Sequence, residues 1–143
     1  MTRLEAWYLH FTFAVTAATG VVFAWMKYFM KTDDPFAVAN HPAQPYMLDV
    51  HVVFAPLLLF GLGVILHDHI LFKRQLPLKQ RRRSGLAAFW SIAPMVLSGY
   101  LLQVGTAEWL RSSMAVLHWI TGGAFLAAYA VHQLSRKRPK RAA

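Results

Sequence analysis

Cysteine is absent from the 143-residue chain. Disulfides, thiolate metal sites, iron–sulfur clusters and covalently attached c-type haem are therefore excluded. Acidic side chains are scarce, six against 15 lysines and arginines, and charged residues make up only 15% of the chain. They lie in a few blocks rather than alternating with apolar positions, which leaves too little polar surface for a small soluble fold. Low-complexity linkers, internal repeats and a second domain are also missing, so residues 1–143 read as a single domain. What fills the chain is apolar: 57% hydrophobic residues, 14% aromatics and a mean hydropathy of +0.37. That composition is the one expected of a polytopic membrane protein.

Four apolar stretches, about residues 4–30, 47–72, 85–105 and 112–134, each approach the ~20 residues that cross a hydrocarbon core of ~30 Å. The expected fold is all-α, a four-helix transmembrane bundle. Pro56 and Pro94 fall inside the second and third spans, where kinks rather than breaks are expected, because neighbouring groups in a bundle can satisfy the freed carbonyls. Aromatics frame the spans: Trp7, Tyr8, Trp25 and Tyr28 on the first and Trp109 beyond the third. The first span is too long for a cleaved signal peptide and carries Glu5 and His10, so it reads as a retained helix.

Topology accounts for the basicity. Arg3, six basic residues from Lys73 to Arg83 and five from Arg136 to Arg141 make 12 of the 15. The opposite side has Lys27, Lys31 and Arg111, with Asp33, Asp34, Asp49 and Glu108 beside them. The positive-inside rule then places both termini and the second loop in the cytoplasm, with the first loop (residues 31–46) and the short third loop outside. A charge of +9 explained in this way gives no reason to expect nucleic acid as a partner.

The informative residues are seven histidines: His10, His41, His51, His67, His69, His118 and His132. Polar groups at membrane depth are costly and need a reason to be there. His118 and His132 are 14 residues apart in the fourth span, within ~40° on one helix face and separated by roughly 21 Å along the axis. One face of one helix thus offers an imidazole near each membrane surface, His118 outside and His132 inside. His51 lies near the outer end of span two, and His10 about two turns in from the inner end of span one. Two pairs at two depths follow: His51 with His118, and His10 with His132. Each pair comes from two helices, so a flat macrocycle can be clamped between them.

Two imidazoles trans on a tetrapyrrole iron are the ligation of a low-spin b-type haem, with both axial positions filled for electron transfer. Zinc would want three or four converging ligands, and no span has a mid-membrane Asp or Glu. Two non-covalent haem b groups are therefore expected. Phe125, seven residues from both His118 and His132, either packs between the haems or is an ordinary helix-packing aromatic. Gly20, Gly61, Gly63, Gly99, Gly122 and Gly123 let a porphyrin or another helix come close. Arg111 outside, and Arg136 or Arg3 inside, could pair with haem propionates, although basic residues at span ends are expected anyway. His69 is 18 residues from His51 and shares its face in a regular helix, which makes it a rival to His10 as inner ligand, while His67 is rotated by about 160°. Both could instead be solvated, or deliver protons to a quinone. His41, beside Pro42, reads as structural or as part of a partner interface.

This arrangement resembles the di-haem cytochrome b subunits of membrane-bound formate dehydrogenases and nickel–iron hydrogenases, and the small bacterial di-haem cytochromes b. The resemblance spans essentially the whole chain. It rests on His10, on His51 within LDVHVVFAPLLLFG, and on His118 and His132 within LHWITGGAFLAAYAVHQL. In those families the outer haem joins the second and fourth helices and the inner haem joins the first and fourth. The resemblance implies a bacterial inner membrane protein that passes electrons across the bilayer. The partner would be an outer-side dehydrogenase or cytochrome subunit, and the other substrate the quinone pool, bound near the inner haem. His69, Asp68 and Arg82 are the candidate quinone or proton site. The chain lacks the long soluble extensions with which larger members grip a catalytic subunit. Two alternatives stay open at this level: a self-sufficient di-haem quinone reductase that oxidises superoxide or another small reductant, and a haem-free membrane anchor or small transporter.

Overall fold

The computed structural model describes residues 2–71 and 82–135, and for residues 68–70 and 82 the backbone alone. Among these residues the protein is helical throughout, with helices α1 (Arg3–Tyr28), α2 (Gln44–Val64), α3 (Arg82–Val104) and α4 (Glu108–Leu134). All four are long and apolar enough to cross a membrane.

Local chemistry sets the helix ends. Thr2 caps α1 by accepting the Glu5 N–H at 3.2 Å, and the Glu5 carboxylate accepts the Thr2 N–H at 2.7 Å. This reciprocal box satisfies orphan donors of the first turn and accounts for an acidic residue at the start of an apolar helix. At the other end the Asn40 side-chain amide donates to the carbonyls of Met26 and Lys27, at 3.3 and 2.9 Å. The loop after α1 is thereby folded back onto the helix it leaves. His41 then starts α2: its Nδ1 accepts the Ala43 N–H at 3.1 Å and its carbonyl accepts the Gln44 N–H at 3.0 Å. Pro45 sits in the first turn of α2, where its missing N–H costs nothing. Pro56 and Pro94 are both inside continuous helices, as expected.

Two boundaries differ from the sequence reading. The second apolar stretch does not run as one α-helix to residue 72. α2 stops at Val64 and a π-helical turn, Leu66–Leu71, follows. Gly61 and Gly63 occupy the last turn of α2, where weak helix propensity lowers the cost of a change in winding. α4 starts at Glu108, a full turn before Ser112, because the connection from α3 needs only residues 105–107. The Arg111 guanidinium closes this turn by donating to the Leu102 and Gly105 carbonyls, each at 3.3 Å. The basic residues of 72–81 and 136–143, including Arg136, lie outside the described residues.

The chain divides into two compact units, residues 1–73 and 74–143. In the first, α1 and α2 pack antiparallel, with Gly20 meeting His51 and Tyr8 meeting Leu57 and Gly61. In the second, α3 and α4 do the same, with Gly99 meeting His118 and Gly85 meeting His132. Burial differs from that of a soluble protein. The largest side chains with under 2% exposure are Thr12 and Ser98, whereas Trp7, Trp25, Trp90 and Trp109 are 59–73% exposed. Hydroxyls and glycines line the helix contacts and bulky apolar groups cover the outside, the pattern of helices whose exterior solvent is lipid.

Tyr8 tests this packing directly. Its hydroxyl donates to the Leu57 carbonyl at 3.0 Å, and a Cβ on Gly61 would lie 2.9 Å from its ring. Tyr8→Phe should lower stability by about 1 kcal/mol, the net worth of one hydrogen bond. Gly61→Val should cost more, about 1–3 kcal/mol, by overpacking against the ring. Thermal unfolding of both variants in mild detergent checks the order.

Candidate functional site

His51, on α2, lies against α1. Its Nδ1 is 2.9 Å from the Thr16 carbonyl oxygen. A carbonyl can only accept, so Nδ1 carries the proton and donates; in the neutral ring the lone pair is then on Nε2. The close approach depends on Gly20, where a Cβ would sit 2.8 Å from His51 Cε1. The spacing has a reason. In an α-helix the carbonyl of residue i points at the N–H of residue i+4, so the Cβ at i+4 crowds any side chain that tries to reach that oxygen. Glycine at i+4 opens the way. Thr16 Oγ1 is buried beside this contact and has no hydrogen-bond partner among the described residues.

The second unit repeats the device. His118 Nδ1 donates to the Met95 carbonyl at 2.9 Å, and Gly99, four residues on, would place a Cβ 3.1 Å from His118 Cε1. Ser98 Oγ lies 3.3 Å from the same Nδ1. Further along α4, His132 Nδ1 is 3.3 Å from Ser84 Oγ, and a Cβ on Gly85 would be 3.3 Å from His132 Cε1. Three of the eight glycines thus lie under imidazoles, and those imidazoles belong to three of the four expected ligands. Tyr8 uses the same approach to Leu57 and Gly61.

The remaining expected site residues have other surroundings. His10 is half-buried on α1, and none of the eight glycines meets its ring. Phe125 is 4% exposed, the only buried side chain of α4 among the described residues, with its ring 6.1 Å from that of Tyr129. Arg111, a candidate for haem propionates, holds the end of α3 through one guanidinium nitrogen. His41 accepts the Ala43 N–H in the turn that leads into α2. His67 is exposed in the π-helical turn. The side chains of Asp68, His69 and Arg82 lie outside the described residues. The argument that put His69 on the face of His51 assumed regular α-helix for 18 residues, and the π turn from Leu66 breaks that register.

For a haem, the donor chemistry fits. An iron ligand must be a neutral imidazole with its lone pair available in a fixed direction, and a hydrogen bond from the other ring nitrogen supplies both. His51 and His118 have that second hydrogen bond, each from Nδ1 to a backbone carbonyl. Gly63, Gly122 and Gly123 leave helix surface where a Cβ would meet nothing within 4 Å, room in which a flat group can approach. No group of three His, Asp or Glu side chains suited to an ion gathers among the described residues, whereas an iron held in a tetrapyrrole takes only two protein ligands. Compared with protein-family models, curated proteins and solved structures, the chain matches none.

Sequence reasoning missed the residues that hold the rings. Its glycine set lacked Gly85, and Thr16, Thr19, Ser84 and Ser98 passed as ordinary span residues. A signal was present: the dipeptides Ser84–Gly85 and Ser98–Gly99 are 14 residues apart, the spacing of His132 and His118 on the facing helix, and Thr19–Gly20 is a third copy. Alanine at these glycines should destabilise the protein in the order of the contacts created. Gly20→Ala should cost most, Gly99→Ala less and Gly85→Ala least, within about 1–3 kcal/mol. Denaturation midpoints of the three variants in one detergent decide the ranking.

Proposed function

We propose that the protein is a di-haem membrane cytochrome b that passes electrons across the bilayer between an outer-side redox partner and the quinone pool. The observation that carries the reading is the shared seating of His51 and His118, each with Nδ1–H on a backbone carbonyl and the lone pair left on Nε2. Four helices able to cross a membrane supply the low-dielectric surroundings that such a site needs. The basic residues of the second loop and the tail favour cytoplasmic termini, and the resemblance to di-haem cytochromes b favours a bacterial inner membrane.

In this reading His51 and His118 hold an outer haem and His10 and His132 an inner one, with Phe125 between them. When bound, each haem would supply a reversible one-electron couple. The chain's own residues do the rest. Thr16 and Met95 orient the ligand rings through their carbonyls, and Ser84 approaches Nδ1 of His132. The glycines beneath the rings keep them close to the helix axes, and the apolar spans exclude water. His69, Asp68 and Arg82 stand at the inner end as the candidate place for quinone and its protons.

Haem content is the first test. A pyridine haemochrome assay with protein quantification should give close to two haem b per chain. A value of zero would leave the haem-free anchor or transporter. If the purified chain alone reduces quinone with superoxide or another small reductant, the self-sufficient enzyme replaces the subunit reading.

Ligand variants then assign the sites. His51→Ala and His118→Ala should each abolish the same potential component in a redox titration and leave the other. His10→Ala should remove the remaining component, and His69→Ala should retain both. Loss of different components from the first two variants would break the outer pair.

A further inference from the structure

Each of the two imidazoles that donate to a backbone carbonyl shares that carbonyl with a neighbouring hydroxyl. In α1, Thr19 Oγ1 donates to the Val15 carbonyl at 2.7 Å and to the Thr16 carbonyl at 3.2 Å, and Thr16 is the acceptor of His51 Nδ1–H. In α3, Ser98 Oγ donates to the Pro94 carbonyl at 2.7 Å and to the Met95 carbonyl at 3.0 Å, and Met95 is the acceptor of His118 Nδ1–H. The hydroxyl stands three residues after the carbonyl in both cases, and the glycine that admits the ring stands four after it. Ser98 is fully buried, at 0% exposure, and Thr19 is half-buried.

We propose that Thr19 and Ser98 are positioning residues that set haem reduction potential, Thr19 through the ring of His51 and Ser98 through the ring of His118. The inference rests on the di-haem reading above. A hydroxyl back-bonded to its own helix is ordinary for Thr and Ser in apolar helices. What is specific here is that a ligand ring bonds the same oxygen. That oxygen also serves the helix, whose ladder brings it the N–H of Gly20 or Gly99. It therefore takes donations from a peptide N–H, an imidazole N–H and a hydroxyl. Each donor draws density from the lone pairs the others use, so the hydroxyl weakens the bond from Nδ1–H. A weaker bond leaves the imidazole less anionic, a poorer donor to ferric iron, and so raises the potential. Second-shell hydrogen bonding of this kind is one of the levers by which a protein tunes haem. At Ser98 a smaller opposing effect exists, since its Oγ lies 3.3 Å from Nδ1 as a long second acceptor. Thr19 is the cleaner case.

Thr12 provides the control. It is 2% exposed on the same helix and back-bonds to the Tyr8 and Leu9 carbonyls at 2.9 and 3.3 Å, away from the His51 acceptor. The experiment is potentiometric titration of the purified full chain with its haems, for Thr19→Val, Thr19→Ser, Ser98→Ala, Ser98→Thr and Thr12→Val, with haem content measured on each. Thr19→Val should keep its haem and shift one component to lower potential. The expected change in its reduction equilibrium is about threefold, equivalent to ~28 mV at 59 mV per decade. Thr19→Ser should restore the original value, Ser98→Ala should shift the same component downward by less, and Ser98→Thr should restore it. Thr12→Val should change nothing. Unchanged or raised potentials in Thr19→Val would overturn the proposal. So would an equal shift in Thr12→Val, which would mean a general effect of lost polarity. Loss of haem from both Thr19→Val and Ser98→Ala would overturn it too, since the hydroxyls would then be holding the ligands. Shifts of two different components would uphold the tuning and refute the pairing of His51 with His118. Absence of haem from the unaltered protein would end the functional reading itself.

Discussion

A carbonyl inside an α-helix already has a donor, the N–H four residues on, and the Cβ of that residue stands beside the approach open to a neighbouring helix. A side chain from a neighbouring helix reaches such an oxygen where that Cβ is missing. The two histidine contacts to backbone oxygen and the Tyr8 contact all meet this condition: Gly20 admits His51 to Thr16, Gly99 admits His118 to Met95, and Gly61 admits Tyr8 to Leu57. Much else in the two helical units follows from it. The glycines let the helix pairs approach closely, the rings fill the space so made, and the bond to the carbonyl fixes which ring nitrogen keeps its lone pair.

The same constraint explains the small polar interior. With lipid outside, helices gain little by hiding large apolar groups from one another. Their contacts are therefore made of hydroxyls satisfied within their own helix, such as Thr12 and Ser98, and of glycines under rings. Thr16, Leu9, Ala24, Leu58, Leu62, Ile65 and Phe125 are buried as well. An imidazole seated in that interior is oriented by backbone atoms, which cannot change rotamer, and this is a firmer support than a side chain could give.

Several features were legible without coordinates because they depend on local pattern alone. Span number and approximate limits follow from hydropathy, and the α-helices indeed begin and end within a few residues of three of the four apolar stretches. The exception is instructive. Residues 65–72 carry His67, Asp68 and His69 among apolar side chains, so the apolar stretch reads on to its end, yet the winding changes at Leu66. Hydropathy does not register hydrogen-bond spacing, so the face on which His69 would lie could not be computed from a constant angle. Arg111 was likewise legible as a residue at a span end, but its bonds to Leu102 and Gly105 depend on how tightly α3 turns into α4.

What the sequence by itself determined is the inventory and its periodicity: four apolar helices, the sidedness of charge that orients them in the proposed topology, and His118 and His132 on one face at two depths. These are properties of single helices, set by composition and by a fixed rise and rotation per residue. Which residues stand behind each ring was decided only by tertiary structure. The register between antiparallel helices depends on side-chain volume on both sides at once. That register brings Gly20 to His51, 31 positions away in the chain, and Gly99 to His118, 19 away. No pattern along a single helix contains that distance. For His51 and His118 the register also sets which ring nitrogen carries the donated proton, because the carbonyl that each ring meets can only accept.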